Sequence, residues 1–329
     1  MGSRSDLLVS MLDVGGSKGL EIGPLANPVV RRGDGDVRYV DILGTEELRA
    51  RYRAHPAVDV DDIVDVDYST HGRAIRDVVG DDAPFDYVIA SHVIEHTADL
   101  VAWLDDLRSV LRNGGALSLA VPDHRFCFDT LRFPTVMADV VDAHLTKAVE
   151  PSPRQVFDHY ANAVLWRGAI AWAQEPPVAE LEAMFTEDHA LARATAVGSG
   201  ESDDVHAWVF TPGAFRRVIE GLQRLGLVSF RLETCSDTIG GEFFALLRAT
   251  DREGAASAAE PRAVVGERRG SEASAVRAEL TSLHDEVAAL RAERDAMLRS
   301  RSWRVTAPLR SLIGRRRRLV ERRARAVMQ

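Results

Sequence analysis

Three carboxylates stand near the ends of successive strand-like runs. Glu21 and Gly23 close the first run, Asp41 ends the second 20 residues after Glu21, and Asp67 follows the third. In a nucleoside-binding fold, a glycine lets the backbone approach the ligand, and an acid about 20 residues further on accepts ribose hydroxyl hydrogens. A carboxylate suits that task because it accepts two hydrogen bonds in one plane. The full G-x-G-x-x-G pattern is absent, since Leu25 stands where its second glycine would fall, and a strand-ending turn is the plain alternative. Pro24 and Pro28 lie in the same loop. Proline supplies no N–H, so this loop is a poor cradle for the pyrophosphate of a dinucleotide.

A second set of groups lies further along. Pro122–Asp129 joins His124 and Arg125 to Asp123 and Asp129, with Arg132 just beyond, and His206 arrives before the last strand–helix unit. A histidine that titrates near neutrality can take a proton from an acceptor hydroxyl. The expected catalytic residues are therefore His124 and His206, with Asp123 and Arg125 beside them. Asp123–Arg125 and Asp129–Arg132 read equally well as structural ion pairs. His92-x-x-Glu95-His96 spells an inverted zinc-protease pattern. That site needs both histidines on one helix face and an acid from elsewhere. Here the pattern sits at a strand exit, so no metal is expected.

These residues need a sheet to position them. Candidate strands are 19–23, 37–43, 62–66, 85–91, 116–121, 228–234 and 243–247. Several are continuous apolar runs, as expected of strands covered on both faces. Helical periodicity over 45–53 and 99–111 alternates with them, the second segment ending at Asn113-Gly114-Gly115. The pattern predicts an α/β fold: a doubly wound, mostly parallel, Rossmann-like seven-stranded sheet. A helical insertion over about 133–200 would sit above its carboxyl edge, where ligands bind in this architecture.

Taken in order, LEIGPLANP (20–28), FDYVIASHVIEH (85–96) and LRNGGALSLAVPD (111–123) resemble class I S-adenosylmethionine-dependent methyltransferases. More closely, they are similar to the bacterial methyltransferases of surface-polysaccharide gene clusters, over roughly residues 15–250. The resemblance implies S-adenosylmethionine as cofactor and a sugar hydroxyl as acceptor. It places Glu21 and Gly23 beside the methionine moiety, Asp41 on the ribose, Asp67 on the adenine, and Ser91 and His92 under the sulfonium. The alternative is a non-catalytic methyltransferase-like module held in a glycan-assembly complex.

The 329 residues are 46% hydrophobic and 28% charged, an ordinary globular composition. No run of 18 apolar residues exists, so no membrane-spanning helix is expected. Two cysteines, Cys127 and Cys235, form no metal-spaced pair and fit a reducing, cytoplasmic setting. Residues 1–250 are expected to be the catalytic domain and 251–270 a linker. From 271 to 298, Val276, Leu280, Leu283, Val287, Leu290, Arg294 and Met297 follow a 4-3 spacing. That spacing predicts a coiled coil and a homo-oligomer. Residues 299–329 hold eleven arginines against Glu321, a net +10, so residues 1–298 carry −19 of the overall −9. With Trp303, Leu309, Leu312 and Ile313 interspersed, this basic amphipathic tail is expected to touch an anionic membrane face. Nucleic acid is not expected as a partner, because the acidic body opposes a polyanion. Residues 300–310 also resemble a terminal segment of bacterial cell-surface glycosyltransferases.

Overall fold

In a computed structural model, residues 4–56 and 58–251 are described. The expected linker beyond Asp251, the coiled coil over 271–298 and the tail over 299–329 lie outside them. The described strands are β1 (Lys18–Ile22), β2 (Asp36–Asp41), β3 (Tyr68–Ser69), β4 (Phe85–Ser91), β5 (Leu111–Pro122), β6 (Val164–Trp166), β7 (Leu181–Ala183), β8 (Phe230–Cys235) and β9 (Glu242–Ala249). The helices are α1 (Arg4–Val9), α2 (Thr45–Tyr52), α3 (Ile75–Val79), α4 (Leu100–Val110), α5 (Met137–Leu145), α6 (Pro153–Asn162), α7 (Glu187–Gly198) and α8 (Pro212–Arg224).

Seven strands form one sheet in the order β3-β2-β1-β4-β5-β9-β8. The pairs from β3 to β5 are parallel, and β9 runs antiparallel between β5 and β8. Chain order reverses between β1 and β4, which opens a ligand crevice at their carboxyl ends. The strand β4 shows why the sequence reads as continuous apolar. Its Tyr87 and Ile89 pack into the core on one face, while Val88 and Ala90 pack on the other. Helix α4 begins where the Asp99 side chain accepts from Ala102 N at 2.9 Å. It buries Leu100, Val101, Leu104, Leu107 and Val110 in the larger core.

Two expectations are corrected. The third strand is not 62–66 but Tyr68–Ser69, because the donors of the earlier segment are spent elsewhere. Asp59 caps a short 3-10 turn over Val60–Asp62, Val64 N donates to Leu25 O, and Val66 N donates to the Thr45 hydroxyl. The insertion over 133–200 is not wholly helical. Helices α5, α6 and α7 share it with the antiparallel pair β6–β7. It is stitched to the loop after β5 by Phe128 N to Ile170 O and Val164 N to Phe128 O. Among the described residues, no helix is long and apolar enough to cross a membrane.

The stretch from β1 to β2 contains no helix. The sheet face there is covered partly by α1, whose Leu8 is buried beside Tyr39 and Tyr87 and whose Leu8 carbonyl accepts from the Ser118 hydroxyl at 2.7 Å. Without a helix N-terminus after β1, there is no ready site for a dinucleotide pyrophosphate.

Candidate functional site

Gly23 ends β1 in the left-handed region, φ +63°, and its N–H donates to Val40 O at 2.9 Å. A side chain is strained at that φ, so glycine is what lets the chain turn here. Glu21 is 2% exposed, and its two oxygens accept from Val29 N at 2.7 Å and Val30 N at 3.1 Å. Both oxygens thus hold the loop after β1, so its role shifts from touching a ligand to shaping the loop that would. Burial pushes its carboxyl up to about 7, against the opposing pull of the two backbone bonds and Arg4.

Asp41 stands at the carboxyl end of β2. One oxygen accepts from Ile42 N at 2.7 Å and Leu43 N at 3.4 Å, and the other has no hydrogen bond among the described residues. Burial raises its pKa, opposed by those two bonds. Asp67 differs from expectation. It precedes β3 rather than following it, and one oxygen accepts from Tyr39 N at 2.7 Å and Arg32 Nη2 at 2.8 Å. Tyr39 lies two residues before the carboxyl end of β2, so this carboxylate fastens the strand's flank just short of that edge. Thr70 and His71 are the residues that leave β3 at that edge.

At the end of β4, Ser91 Oγ accepts from Arg4. His92 follows with φ +54° and meets Glu242 Oε2 at 2.8 Å, while Arg4 Nε donates to Glu242 Oε1, also at 2.8 Å. Helix α1 therefore brings a cation over the two residues expected beneath a sulfonium. A six-residue helix carries too little periodicity to be read from sequence, which is why Arg4 was missed.

The loop after β5 separates its expected residues. Asp123 is fully buried and grips Arg125 through Nε at 3.0 Å and Nη2 at 2.6 Å, with the Thr238 hydroxyl donating at 2.5 Å. Burial would raise its pKa, but the bonds from Arg125 and Thr238 outweigh this and lower it. This is the structural ion pair of the sequence reading, and it removes Asp123 and Arg125 from the catalytic set. His124 is 7% exposed, its Nδ1 lacks a partner, and burial lowers its pKa. No side chain orients it.

His206 has what His124 lacks. Its Nδ1 meets Asp129 Oδ2 at 2.5 Å, and Asp129 Oδ1 accepts from Arg132 Nη1 at 2.8 Å. Arg132 also donates to the His206 carbonyl at 2.8 Å. Burial would raise the Asp129 carboxyl, yet the hydrogen bond and charge of His206 and the charge of Arg132 hold it down at about 2. An ionised carboxylate only accepts, so His206 Nδ1 carries a proton, and in the neutral ring Nε2 is the nitrogen with the lone pair. Next to it, the His96 ring packs edge-on against His206 at 4.8 Å between centroids. His96 Nδ1 is held by Asp204 Oδ1 at 2.8 Å. An oriented imidazole beside a carboxylate is the arrangement of a general base. Asp129 and His206 are 77 residues apart in sequence, and only the fold joins them.

Residues 12–117 match a family model described as a methyltransferase domain. That span contains β1 to β4 and the start of β5, including Gly23, Asp41 and the β4 exit. No curated protein sequence matches the chain. Solved structures with a similar trace include the CcbJ methyltransferase from Streptomyces caelestis, at 12% identity and a TM-score of 0.37, covering 76% of this chain and 97% of that one. An S-adenosylmethionine-dependent methyltransferase from Mesorhizobium loti shows 13% identity and a TM-score of 0.36, covering 75% and 98%. The CurJ carbon methyltransferase shows 12% identity and a TM-score of 0.36, covering 74% of this chain; the chain spans about half of that protein, 51%.

Proposed function

We propose that the chain transfers a methyl group from S-adenosylmethionine to a hydroxyl acceptor, with a sugar of a cell-surface glycan as the substrate class. The methyltransferase domain match over the β1–β4 crevice carries the reaction type. The His206–Asp129 pair supports a hydroxyl acceptor, which must lose a proton. The glycan itself rests on the resemblance in the sequence.

Bound in the crevice, S-adenosylmethionine supplies an electrophilic methyl on a sulfonium. The chain's own groups suit such a ligand. Gly23 lets the backbone come close, and the outer oxygen of Asp41 accepts ribose hydroxyls. Glu242 beside the β4 exit offsets the charge of Arg4, which would otherwise face the sulfonium. Methyl transfer then asks mainly for alignment and exclusion of water. The insertion stitched to Phe126–Phe128 walls the acceptor side, and His206 Nε2 takes the hydroxyl proton.

Two measurements test this reading. S-adenosylmethionine at 100 times its Kd should stabilise the full-length chain by about 2.7 kcal/mol, while NAD should not. A melting temperature moved by neither ligand removes the cofactor. Asp41→Ala should weaken S-adenosylmethionine binding by roughly 1.5–3 kcal/mol, the scale of hydrogen bonds at a charged group. Calorimetry that returns the parent affinity takes Asp41 out of the ribose role. For the acceptor, surface glycans from cells with and without the gene should differ by 14 daltons, the mass a methyl group adds in place of hydrogen.

A further inference from the structure

We propose that Glu95, His96 and His206 hold a divalent first-row cation at the acceptor side of the crevice. One ligating atom from each of the three lies within 4.8 Å of the others. The sequence pattern His92-x-x-Glu95-His96 pointed instead to a pair of histidines, but His92 engages Glu242 through Nε2 and only its Nδ1 faces Glu95, 3.5 Å away. The third member comes from a segment 110 residues downstream. Glu95 itself fixes it there, since its carbonyl accepts from Ala207 N at 2.7 Å and Trp208 N at 3.2 Å.

Glu95 supplies the independent observation. Its residue is 0% exposed, and neither carboxylate oxygen has a hydrogen-bond partner. The nearest side-chain nitrogen paired with it, His92 Nδ1, is 3.5 Å away and makes no hydrogen bond with it. A buried carboxylate without hydrogen bonds is costly, and such groups are normally paired or bound to metal.

The two imidazoles are set up in the same sense. Each gives its Nδ1 to a carboxylate, His96 to Asp204 at 2.8 Å and His206 to Asp129 at 2.5 Å. A carboxylate on one nitrogen fixes the ring and leaves the lone pair of the other for a metal. Two orienting carboxylates and one unsatisfied carboxylate around a single cluster are difficult to explain by packing alone. Two imidazole nitrogens with one carboxylate oxygen suit zinc, manganese, cobalt or ferrous iron better than calcium or magnesium. Three protein ligands leave coordination positions open, as in catalytic rather than structural sites.

What the cation does rests on the methyl-transfer reading; that it binds does not. An acceptor hydroxyl on an open position loses its proton to solvent near neutral pH, as metal-bound water does. The oxygen then attacks the methyl carbon as the carbon–sulfur bond breaks, releasing S-adenosylhomocysteine. With the cation bound, His206 acts through the metal; in the metal-free chain its Nε2 is free to take the proton directly, as in the proposed function.

The test needs neither cofactor nor acceptor. Full-length protein stripped with EDTA and desalted is titrated with zinc by calorimetry. One equivalent should bind with micromolar or tighter affinity. Glu95→Gln and His96→Asn should each weaken it by more than about 100-fold, because losing even an orienting partner of a ligand costs 10–100-fold. His189→Asn, at an exposed position outside the cluster, should bind as the parent does. Melting in EDTA checks that the variants fold. A cobalt titration of the parent needs no variant: ligand-field bands should intensify well above those of hydrated cobalt. Absence of saturable zinc binding, a hydrated-cobalt spectrum, or parent-like affinity in both folded variants overturns the proposal.

Discussion

His206→Asn is expected to lower turnover by about 100-fold or more while the affinity for S-adenosylmethionine holds. The readout is S-adenosylhomocysteine formation with extracted glycan, alongside calorimetry of the cofactor. The prediction follows from the tautomer. Asp129 is ionised at neutral pH, since its pKa is held near 2. It therefore keeps a proton on Nδ1, so in the neutral ring Nε2 is the nitrogen that takes a proton or binds a cation. Asparagine supplies neither function. Asp129 is the less informative target, because Arg132 is only 3% exposed and depends on it. Removing one partner of a buried ion pair costs about 3–5 kcal/mol and would confound activity with folding. Turnover within threefold of the parent in His206→Asn would leave alignment as the chain's whole contribution.

The sheet was legible in the sequence where local and tertiary demands agree. The limits of β4 were read correctly as Phe85–Ser91, because an apolar run of that length must be covered on both faces. The third strand was misplaced because Ile63, Val64 and Val66 alternate with acids as a strand would, yet their backbone donors serve the β1 loop and helix α2. That misplacement put Asp67 after the third strand when it stands just before it, level with Tyr39 of β2. The strand-end positions of Gly23 and Asp41 were legible because a strand end followed by a special residue is a local signal. His206–Asp129 and Glu95–His96–His206 were not, because each joins segments far apart in the chain. Single residues gave partial hints: Glu95 is an acid at the end of an apolar run, and Asp204 stands two residues before His206.

Glu21 links the sheet to the loop after β1, and its stability contribution should depend on pH. The carboxyl titrates near 4.5 when unfolded and near 7 when folded, chiefly because burial disfavours its charge. The folded chain therefore holds a proton that the unfolded chain has released at intermediate pH. Stability from this group is fully present below about pH 4.5, falls as pH rises, and is lost once the pH passes about 7. A shift of that size corresponds to about 3 kcal/mol. Glu21→Gln removes the ionisation but keeps an acceptor for only one of Val29 N and Val30 N. That costs about 1 kcal/mol at every pH. The variant should thus match the parent to within a few tenths of a kcal/mol at pH 5 and be more stable than it by about 2 kcal/mol at pH 8. Subtracting the two curves cancels the carboxylates with lowered pKa, such as Asp123 and Asp204, which act alike in both chains. Urea unfolding of both full-length proteins at pH 5, 6, 7 and 8 makes the comparison. Curves that stay parallel across this range would mean that Glu21 is already ionised at pH 5, with the two backbone N–H bonds outweighing its burial.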